Sequence, residues 1–239
     1  MLRLIFEFLL GCVVTFFAVN SMASETWKTE LQWKLCEPSA EAVMQKLGVT
    51  PLKSKSREIR FFETPDFALL AKGVIIRDRQ GKKDERTVKI RLGREVEVPT
   101  DWKNVDGFKC EFDVHGSGRT FTCSLETKTA GPELELSHAQ RELLQELAPD
   151  ALNDLDNVER LGYLADVAHD LDLDGVEASL ERSTVKGKSF MELSARVETA
   201  VAARVQNRIQ KALAAASVRE CRAQGSNTKA KLALLTPGL

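Results

Sequence analysis

The feature that most constrains the fold of this sequence is a period-two alternation of side chains that recurs along the chain. In the first such segment, residues 28–35, one face is polar and the other is mostly apolar. The polar face consists of Lys28, Glu30, Gln32 and Lys34. Alternation of this kind is typical of a β-strand that packs one face against a core.

The same alternation predicts about eight strands in all, separated by helices. After the first segment, the alternating segments are residues 56–62, 74–79, 86–92, 109–115, 120–128, 161–173, 176–185 and 189–197. The turn Gly116-Ser117-Gly118 joins two of them into a hairpin. Helical periodicity is found in residues 38–48, 137–147 and 198–216. The fold class is therefore α+β, with strands dominating.

The amino terminus has the pattern of a secretory signal peptide. Residues 4–19 are almost wholly apolar, Arg3 precedes them, and Ser21-Met22-Ala23 resembles a cleavage site. The apolar run is shorter than the roughly 20 residues that a membrane span needs. We predict cleavage after Ala23, export to the periplasm or the exterior, and no stable membrane anchor. An uncleaved anchor is the alternative. The remaining chain is interpreted as one domain, residues 24–221, followed by a loose tail, 222–239.

Four cysteines remain after this cleavage, and an exported chain favours disulfides between them. Three pairings are open. Alternation places Cys110 and Cys123 on the same face of the predicted hairpin, where cross-strand Cβ atoms approach within about 5 Å. We therefore predict Cys110–Cys123, which leaves Cys36–Cys221, the ends of the first strand and of the long helix. Four free thiols are the alternative.

Charge restricts the classes of partner. The 239 residues contain 34 Lys and Arg against 35 Asp and Glu, a net charge of −1. No global basic field is available to hold a nucleic acid, and aromatic residues, which would stack on bases, make up only 6%. We expect no nucleic-acid partner.

The polar faces of several strands carry dense charge of both signs. Such faces either lie in solvent or line the lumen of a barrel. A lumen of acids and bases needs a ligand, because enclosed charges must be paired or coordinated. A metal-bound polyphosphate requires both signs, since carboxylates hold the cation and Arg or Lys hold the phosphate oxygens.

In order along the chain, these segments resemble the CYTH domain, also called the triphosphate tunnel metalloenzyme superfamily. That family has E-x-E-x-K on its first strand, then an aromatic-acid-T-P segment, L-R-x-R, K-x-R, a pair of acids, and a closing F-L-E-[IL]-E. The matching segments here are 30–34 (ELQWK), 61–66 (FFETPD), 74–79 (VIIRDR), 89–91 (KIR), 111–113 (EFD) and 190–194 (FMELS).

The resemblance implies an eight-stranded antiparallel barrel, a tunnel with helices packed outside. It also implies roles for individual residues. The divalent-metal ligands, for Mg²⁺ or Mn²⁺, would be Glu30, Glu111, Asp113 and Glu192. The phosphate-binding residues would be Lys34, Arg77, Arg79, Lys89 and Arg91. The implied ligand is a triphosphate or polyphosphate, and the implied reaction is metal-dependent hydrolysis of inorganic triphosphate, polyphosphate or an organic triphosphate.

Two departures from the family pattern bear on activity. Gln32 and Ser194 each stand where the family has a carboxylate. Because Mg²⁺ prefers charged oxygen ligands, their loss weakens the expected metal site while leaving the basic set intact. The alternative function is a non-catalytic module that binds polyphosphate or another polyanion.

A second metal motif has a simpler interpretation. Asp170, Asp172, Asp174 and Glu181 fit the spacing of an EF-hand calcium loop around Gly175. However, Glu177 occupies a position that is normally apolar, and the following segment alternates as a strand does. We interpret the segment as a polar turn between two strands, not as a calcium site.

Overall fold

The computed structural model describes residues 27–128, 131 and 133–236. Nine strands form one closed barrel. They are β1 (Lys28–Leu35), β2 (Lys53–Glu63), β3 (Val74–Gln80), β4 (Glu85–Leu92), β5 (Phe108–His115), β6 (Gly118–Lys128), β7 (Glu159–Asp172), β8 (Glu177–Val185) and β9 (Lys188–Glu198). Their order around the barrel is β1-β5-β6-β4-β3-β2-β7-β8-β9.

The expected barrel of eight antiparallel strands is wrong in count and in direction. Each alternating segment of the sequence is a strand, which gives nine, and β1 pairs in parallel with β5. All the other pairs are antiparallel. A closed ring with an odd number of strands cannot alternate in direction throughout, so at least one parallel pair is geometrically required.

Four helices cover the outside of the barrel, and a fifth, the last in the chain, packs into one end of its lumen. They are α1 (Ala40–Leu47), α2 (Ala68–Ala71), α3 (His138–Leu147), α4 (Thr199–Ala215) and α5 (Thr228–Leu235), with 3₁₀ helices at Thr100–Asn104 and Pro149–Asn157. Helix α1 begins at the N-cap Ser39, whose hydroxyl accepts from the backbone of Ala42. It ends at Gly48, whose φ of 67° is the left-handed conformation that glycine adopts without strain.

The hydrophobic core lies between the barrel wall and these helices. Helix α4 packs Ala202, Val205, Ile209 and Leu213 into a cluster with the outward faces of β1, β8 and β9. A second cluster joins the outward faces of β4, β5 and β6 to α3. With the apolar faces turned outward onto helices, the charged faces of the strands turn into the lumen.

Both predicted disulfides are present in the structure. Cys110 and Cys123 are cross-strand partners in the β5–β6 hairpin. Cys36 follows β1 and is joined to Cys221, which lies beyond α4, over a sequence separation of 185. Within the described residues, no helix is both long and apolar enough to cross a membrane. The predicted signal peptide, 1–23, lies outside the described residues.

The carboxyl-terminal part of the chain is more ordered than the sequence suggested. Where a loose tail was expected from residue 222, Thr228–Leu235 forms α5, with Leu232 and Leu235 buried. The reason is that these two leucines pack against apolar residues of β2, β3 and β7.

Candidate functional site

The charged faces of the strands enclose a cavity of about 500 Å³ at one end of the barrel. Its lining residues are Glu30, Arg77, Arg79, Thr87, Lys89, Gly107, Phe108, Lys109, Glu111, Ser124, Glu126 and Arg196. We call this the outer cavity. Acids and bases are interspersed around it, as the sequence analysis expected of a lumen.

Three of the four predicted metal ligands meet in this lumen. The parallel register of β1 and β5 places Glu30 beside Asp113, and Glu111 lies two residues before Asp113 on the same face. One carboxylate oxygen from each of the three residues lies within 4.8 Å of the others. We call these residues the acid triad.

The environment of the acid triad leaves room for a cation. Asp113 accepts a 2.7 Å contact from Lys89 through Oδ2, while its Oδ1 is buried with no hydrogen-bond partner among the described residues. The oxygens of Glu111 lie 3.0 Å from Nζ of Lys109 and 2.8 Å from Nε of Arg196. Both of those bases are exposed, so they can move away from the carboxylate. A hard divalent cation fits this donor set, because it is bound by carboxylate oxygens.

The charge states of the acid triad are strongly influenced by neighbouring bases. Burial raises the pKa of Asp113, although Lys89 opposes the shift. Burial also disfavours ionisation of Glu30, but Lys89 and Lys109 outweigh it and lower the pKa of that carboxyl. At least one carboxylate is therefore ionised beside a cluster of ammonium and guanidinium groups.

Four of the five predicted phosphate-binding bases line the lumen, and we call these four, Arg77, Arg79, Lys89 and Arg91, the row of bases. Arg77, Arg79 and Lys89 contact both the outer cavity and a deeper one. Arg77 forms no ion pair with any described carboxylate, and its Nε is buried without a hydrogen bond. Desolvation and the neighbouring Arg79 lower its pKa to about 9. A guanidinium left without an anion in this way is suited to bind one.

The deeper cavity, which we call the inner cavity, has a volume of about 120 Å³. Glu192, the fourth predicted metal ligand, lines this cavity and is not one of the three acids of the triad. Burial raises the pKa of Glu192 to about 7, with Lys231 of α5 opposing the shift. Arg91 also lines the inner cavity, whereas the predicted Lys34 lines neither cavity and lies beyond Gln32 towards the end of β1.

The two positions that lack a family carboxylate are neighbours. Gln32 and Ser194 are directly opposite each other on β1 and β9, and both line the inner cavity. The side-chain amide of Gln32 donates a 2.6 Å hydrogen bond to Glu30. The loss of negative charge is thus concentrated in the inner cavity, not spread along the tunnel.

Sequence reasoning missed several residues of the lumen. Lys109 and Arg196 share alternating faces with Glu111 and Glu192, so the same periodicity could have found them. Glu181, which the sequence placed in the calcium-like motif, lies in the inner cavity and pairs with Arg57 at 2.7 Å. Asp170 of that motif pairs with Lys55 at 3.0 Å, and the turn between β7 and β8 lies at Asp174 and Gly175.

A buried ion network supports the inner cavity. Arg57 contacts Asp166 at 2.6 Å as well as Glu181, and Asp166 also accepts a hydrogen bond from Ser183. His115 lies at the far end of the same cavity, where desolvation, Arg91 and Lys89 lower its pKa to about 4. This histidine is therefore neutral at physiological pH.

Comparison with known proteins places this architecture among solved structures. A scan of known protein families found no match, and no curated protein is similar in sequence. The structure is similar to that of HpAC1 from Hippeastrum, described as a candidate adenylyl cyclase with a dominant triphosphatase activity. That match has a TM-score of 0.61 and 17% identity and covers 88% of this chain and 98% of the other.

A second solved structure is similar in the same way. It is bh2851 from Bacillus halodurans, described as a candidate adenylate cyclase, with a TM-score of 0.51 and 17% identity. The match covers 85% of this chain and 97% of the other. The chain therefore has a CYTH-like fold, that of the triphosphate tunnel proteins.

Proposed function

We propose that this protein binds the phosphate chain of a triphosphate or polyphosphate in its tunnel and hydrolyses a phosphoanhydride bond with a divalent cation. The observation that carries the proposal is the arrangement of charge in one lumen. The acid triad has oxygens within 4.8 Å of one another. Glu30 and Glu111 line the outer cavity with Arg77, Arg79 and Lys89, and Asp113 lines the inner cavity with the same three bases. The dominant triphosphatase activity described for the Hippeastrum protein supports the same reaction class.

The acidic residues would hold the cation, and the basic residues would position the phosphate chain and neutralise its charge. Glu30, Glu111 and Asp113 would hold Mg²⁺ or Mn²⁺, which supplies Lewis-acid polarisation of a phosphoryl oxygen when bound. Arg77, Arg79, Lys89 and Arg91 would hold the remaining phosphate oxygens by charge-assisted hydrogen bonds. Phosphoryl transfer depends mainly on such positioning and charge stabilisation.

A polyanion-binding module without catalysis is the second function that a specific observation favours. Gln32 and Ser194 leave the inner cavity without two carboxylates, whereas four predicted bases line it: Arg77, Arg79, Lys89 and Arg91. A site with this balance binds phosphate more readily than it binds a metal. We also propose, from the two disulfides and the amino-terminal sequence, that the protein works after export.

The test separates binding, metal dependence and turnover. Calorimetry with tripolyphosphate in the presence of a chelator measures binding, and phosphate release with and without Mg²⁺ or Mn²⁺ measures hydrolysis. Replacing Arg77 by Ala should weaken binding about ten- to hundredfold, the loss of one charge-assisted hydrogen bond. Arg60→Ala is the matched control, because Arg60 pairs with Glu58 and stacks on the exposed Tyr163 instead of lining either cavity.

The variant Asp113→Asn distinguishes the two functions. Hydrolysis that requires metal in the native protein and disappears in Asp113→Asn supports the enzyme. Tight binding without metal-dependent hydrolysis supports the binding module. Failure of the native protein to bind tripolyphosphate, or equal affinity in Arg77→Ala and Arg60→Ala, would reject both.

A further inference from the structure

The charged residues of α4 are all positive. Arg204, Arg208 and Lys211 are exposed, and the helix Thr199–Ala215 contains no Asp or Glu. Spacings of four and three residues place the three bases along one stripe of the helix surface. No carboxylate of the described residues forms an ion pair with any of them. In a chain with a net charge of −1, this stripe is a local region that attracts anions.

A groove lies between α4 and the rim of the barrel, and we call it the arginine groove. It has a volume of about 380 Å³. The charged residues that line it are Arg204 and Arg208 of α4, Arg196 of β9 and Glu177 of β8. Three guanidinium groups and one carboxylate face the same space, so the groove carries a net positive charge.

Arg196 connects the arginine groove to the tunnel. Its side chain lines both the groove and the outer cavity, where its Nε lies 2.8 Å from Glu111. It is also 41% exposed, as expected of a residue at the mouth of the barrel. When Glu111 holds a cation, the guanidinium of Arg196 is free to bind a phosphate oxygen. Arg196 is therefore both a base of the lumen and a base of the groove.

The far side of the mouth is less suited to an anion. Strands β4 and β6 lie across the ring from β9 and carry Glu85 and Glu126. The two carboxylates share one guanidinium, because Arg79 lies 3.1 Å from Glu85 and 4.0 Å from Glu126. Two acids around one base leave a net negative charge. A chain of phosphates that leaves the outer cavity is therefore repelled by this side and attracted towards β9 and α4.

We propose that the arginine groove is a phosphate-binding subsite outside the tunnel, and that the protein favours a long polyphosphate over tripolyphosphate. This inference rests on the proposed binding of a phosphate chain in the tunnel. One end of the polyphosphate lies in the lumen along the row of bases. The phosphates that follow pass Arg196 and bind Arg204 and Arg208 in the groove, with Lys211 beyond them on the same stripe. Glu177 opposes this binding.

The test compares two ligands, tripolyphosphate and long-chain polyphosphate, by calorimetry in the presence of a chelator. Arg204→Gln combined with Arg208→Gln should weaken binding of the long chain about tenfold, because two exposed charge contacts are lost. Its affinity for tripolyphosphate should not change, since this ligand stays in the lumen. The salt dependence of long-chain binding should also fall, because fewer counterions are released.

The matched control removes the same two charges elsewhere. Arg141→Gln combined with Arg160→Gln alters exposed residues of α3 and β7 that line neither cavity nor the arginine groove. Thermal unfolding establishes that both double variants are folded. Equal long-chain affinity in the two, with tripolyphosphate still bound, rejects the inference and leaves the proposed function standing. Failure of the native protein to bind tripolyphosphate rejects the proposed function and this inference with it.

Two further measurements test the identity of the ligand in the groove. Glu177→Gln should change long-chain affinity in the opposite direction, tightening it about threefold without affecting tripolyphosphate. A polyglutamate peptide should bind only weakly. If it binds as tightly as long-chain polyphosphate, and this binding is lost in Arg204→Gln with Arg208→Gln, the groove is a site for acidic peptides and the inference is overturned.

Discussion

The two ends of the barrel are built from the same strands and differ in what those strands turn inward. At the outer cavity, acids and bases alternate around the wall, and several of them, such as Lys109 and Arg196, are exposed. At the other end, β2, β3 and β7 turn Phe61, Ile75 and Leu164 inward, and α5 covers them. The change occurs within single strands, as from Arg57 to Ile59 on β2.

This difference shows how one barrel can have an open, charged cavity at one end and a closed, apolar end at the other. The charged half cannot be filled by protein side chains without leaving charges unpaired, so it stays available to a ligand. The apolar half is stabilised when its surface is removed from water, and the carboxyl-terminal helix covers it. The boundary between the two halves is the inner cavity, which is lined by Lys231, Arg77 and Arg91.

The largest expected effect comes from removing the disulfide that precedes α5, at the closed end of the barrel. Replacing Cys36 and Cys221 by Ser removes a cross-link over 185 residues, which the chain-entropy model values at up to about 5 kcal/mol. We expect a lower free energy of unfolding in urea and faster proteolysis of residues 222–235. The control is Cys110→Ser with Cys123→Ser, which removes the shorter cross-link of about 3 kcal/mol at a distance from α5. Equal proteolysis of the two double variants would contradict the assignment of this disulfide to the closed end.

The next effect is a pH dependence of protein stability that arises from Glu192 in the inner cavity. Because burial raises the pKa of Glu192 from 4.5 to about 7, its protonated form is favoured in the folded state. Its contribution to stability is full below pH 4.5 and is lost as pH rises through 7. The side chain in Glu192→Gln cannot ionise. In the absence of metal, the difference in free energy of unfolding between this variant and the native protein should therefore change by up to about 3 kcal/mol across this pH range.

Unfolding of both proteins in urea at several pH values measures this divergence. Both retain His115, whose pKa is lowered to about 4 and whose contribution is lost as pH falls from 6.5. The difference between the two proteins therefore isolates Glu192. A difference that stays constant with pH would show that Glu192 ionises normally.

The smallest expected effect comes from adding negative charge to the inner cavity. Gln32→Glu combined with Ser194→Glu places two carboxylates opposite each other beside Glu30 and Glu192. We expect Mn²⁺ affinity to rise about tenfold, roughly 1.4 kcal/mol, and tripolyphosphate affinity in a chelator to fall. Gln45→Glu combined with Gln210→Glu, at exposed positions of α1 and α4 outside both cavities, is the control, because it adds the same two negative charges. Unchanged metal affinity in the double variant would show that the inner cavity takes no part in metal binding.

Much of the candidate site could be predicted because alternation and burial are local properties of a strand. The pattern on residues 28–35 and 109–115 places Glu30, Glu111 and Asp113 on polar faces whatever the neighbours are. Likewise, the Cys110–Cys123 pairing follows from a single hairpin. These features need no knowledge of how the barrel closes.

Other features depend on closure and could not be predicted in this way. The parallel pairing of β1 with β5 follows from the number of strands in the ring, which no segment encodes alone. Residues 228–235 carry no clear amphipathic pattern, and α5 is held by two leucines in one apolar cluster and by Lys231, which contacts Ser183. Glu181 fitted a calcium motif by spacing, yet its partner Arg57 lies far away in sequence.

The position of β1 in the barrel also constrains how the chain folds. Its two neighbours are β5 and β9, so the first strand cannot complete its hydrogen bonds until the last strand has been made. Pairings between such distant parts of a sequence slow folding, because the entropy cost of closing a long loop comes before any stabilising contact has formed. We therefore expect the barrel to close after the hairpins β5–β6 and β8–β9 have formed from local contacts. Helix α5 follows β9 in the sequence and packs inside the ring, so we expect its packing to be one of the last steps of folding.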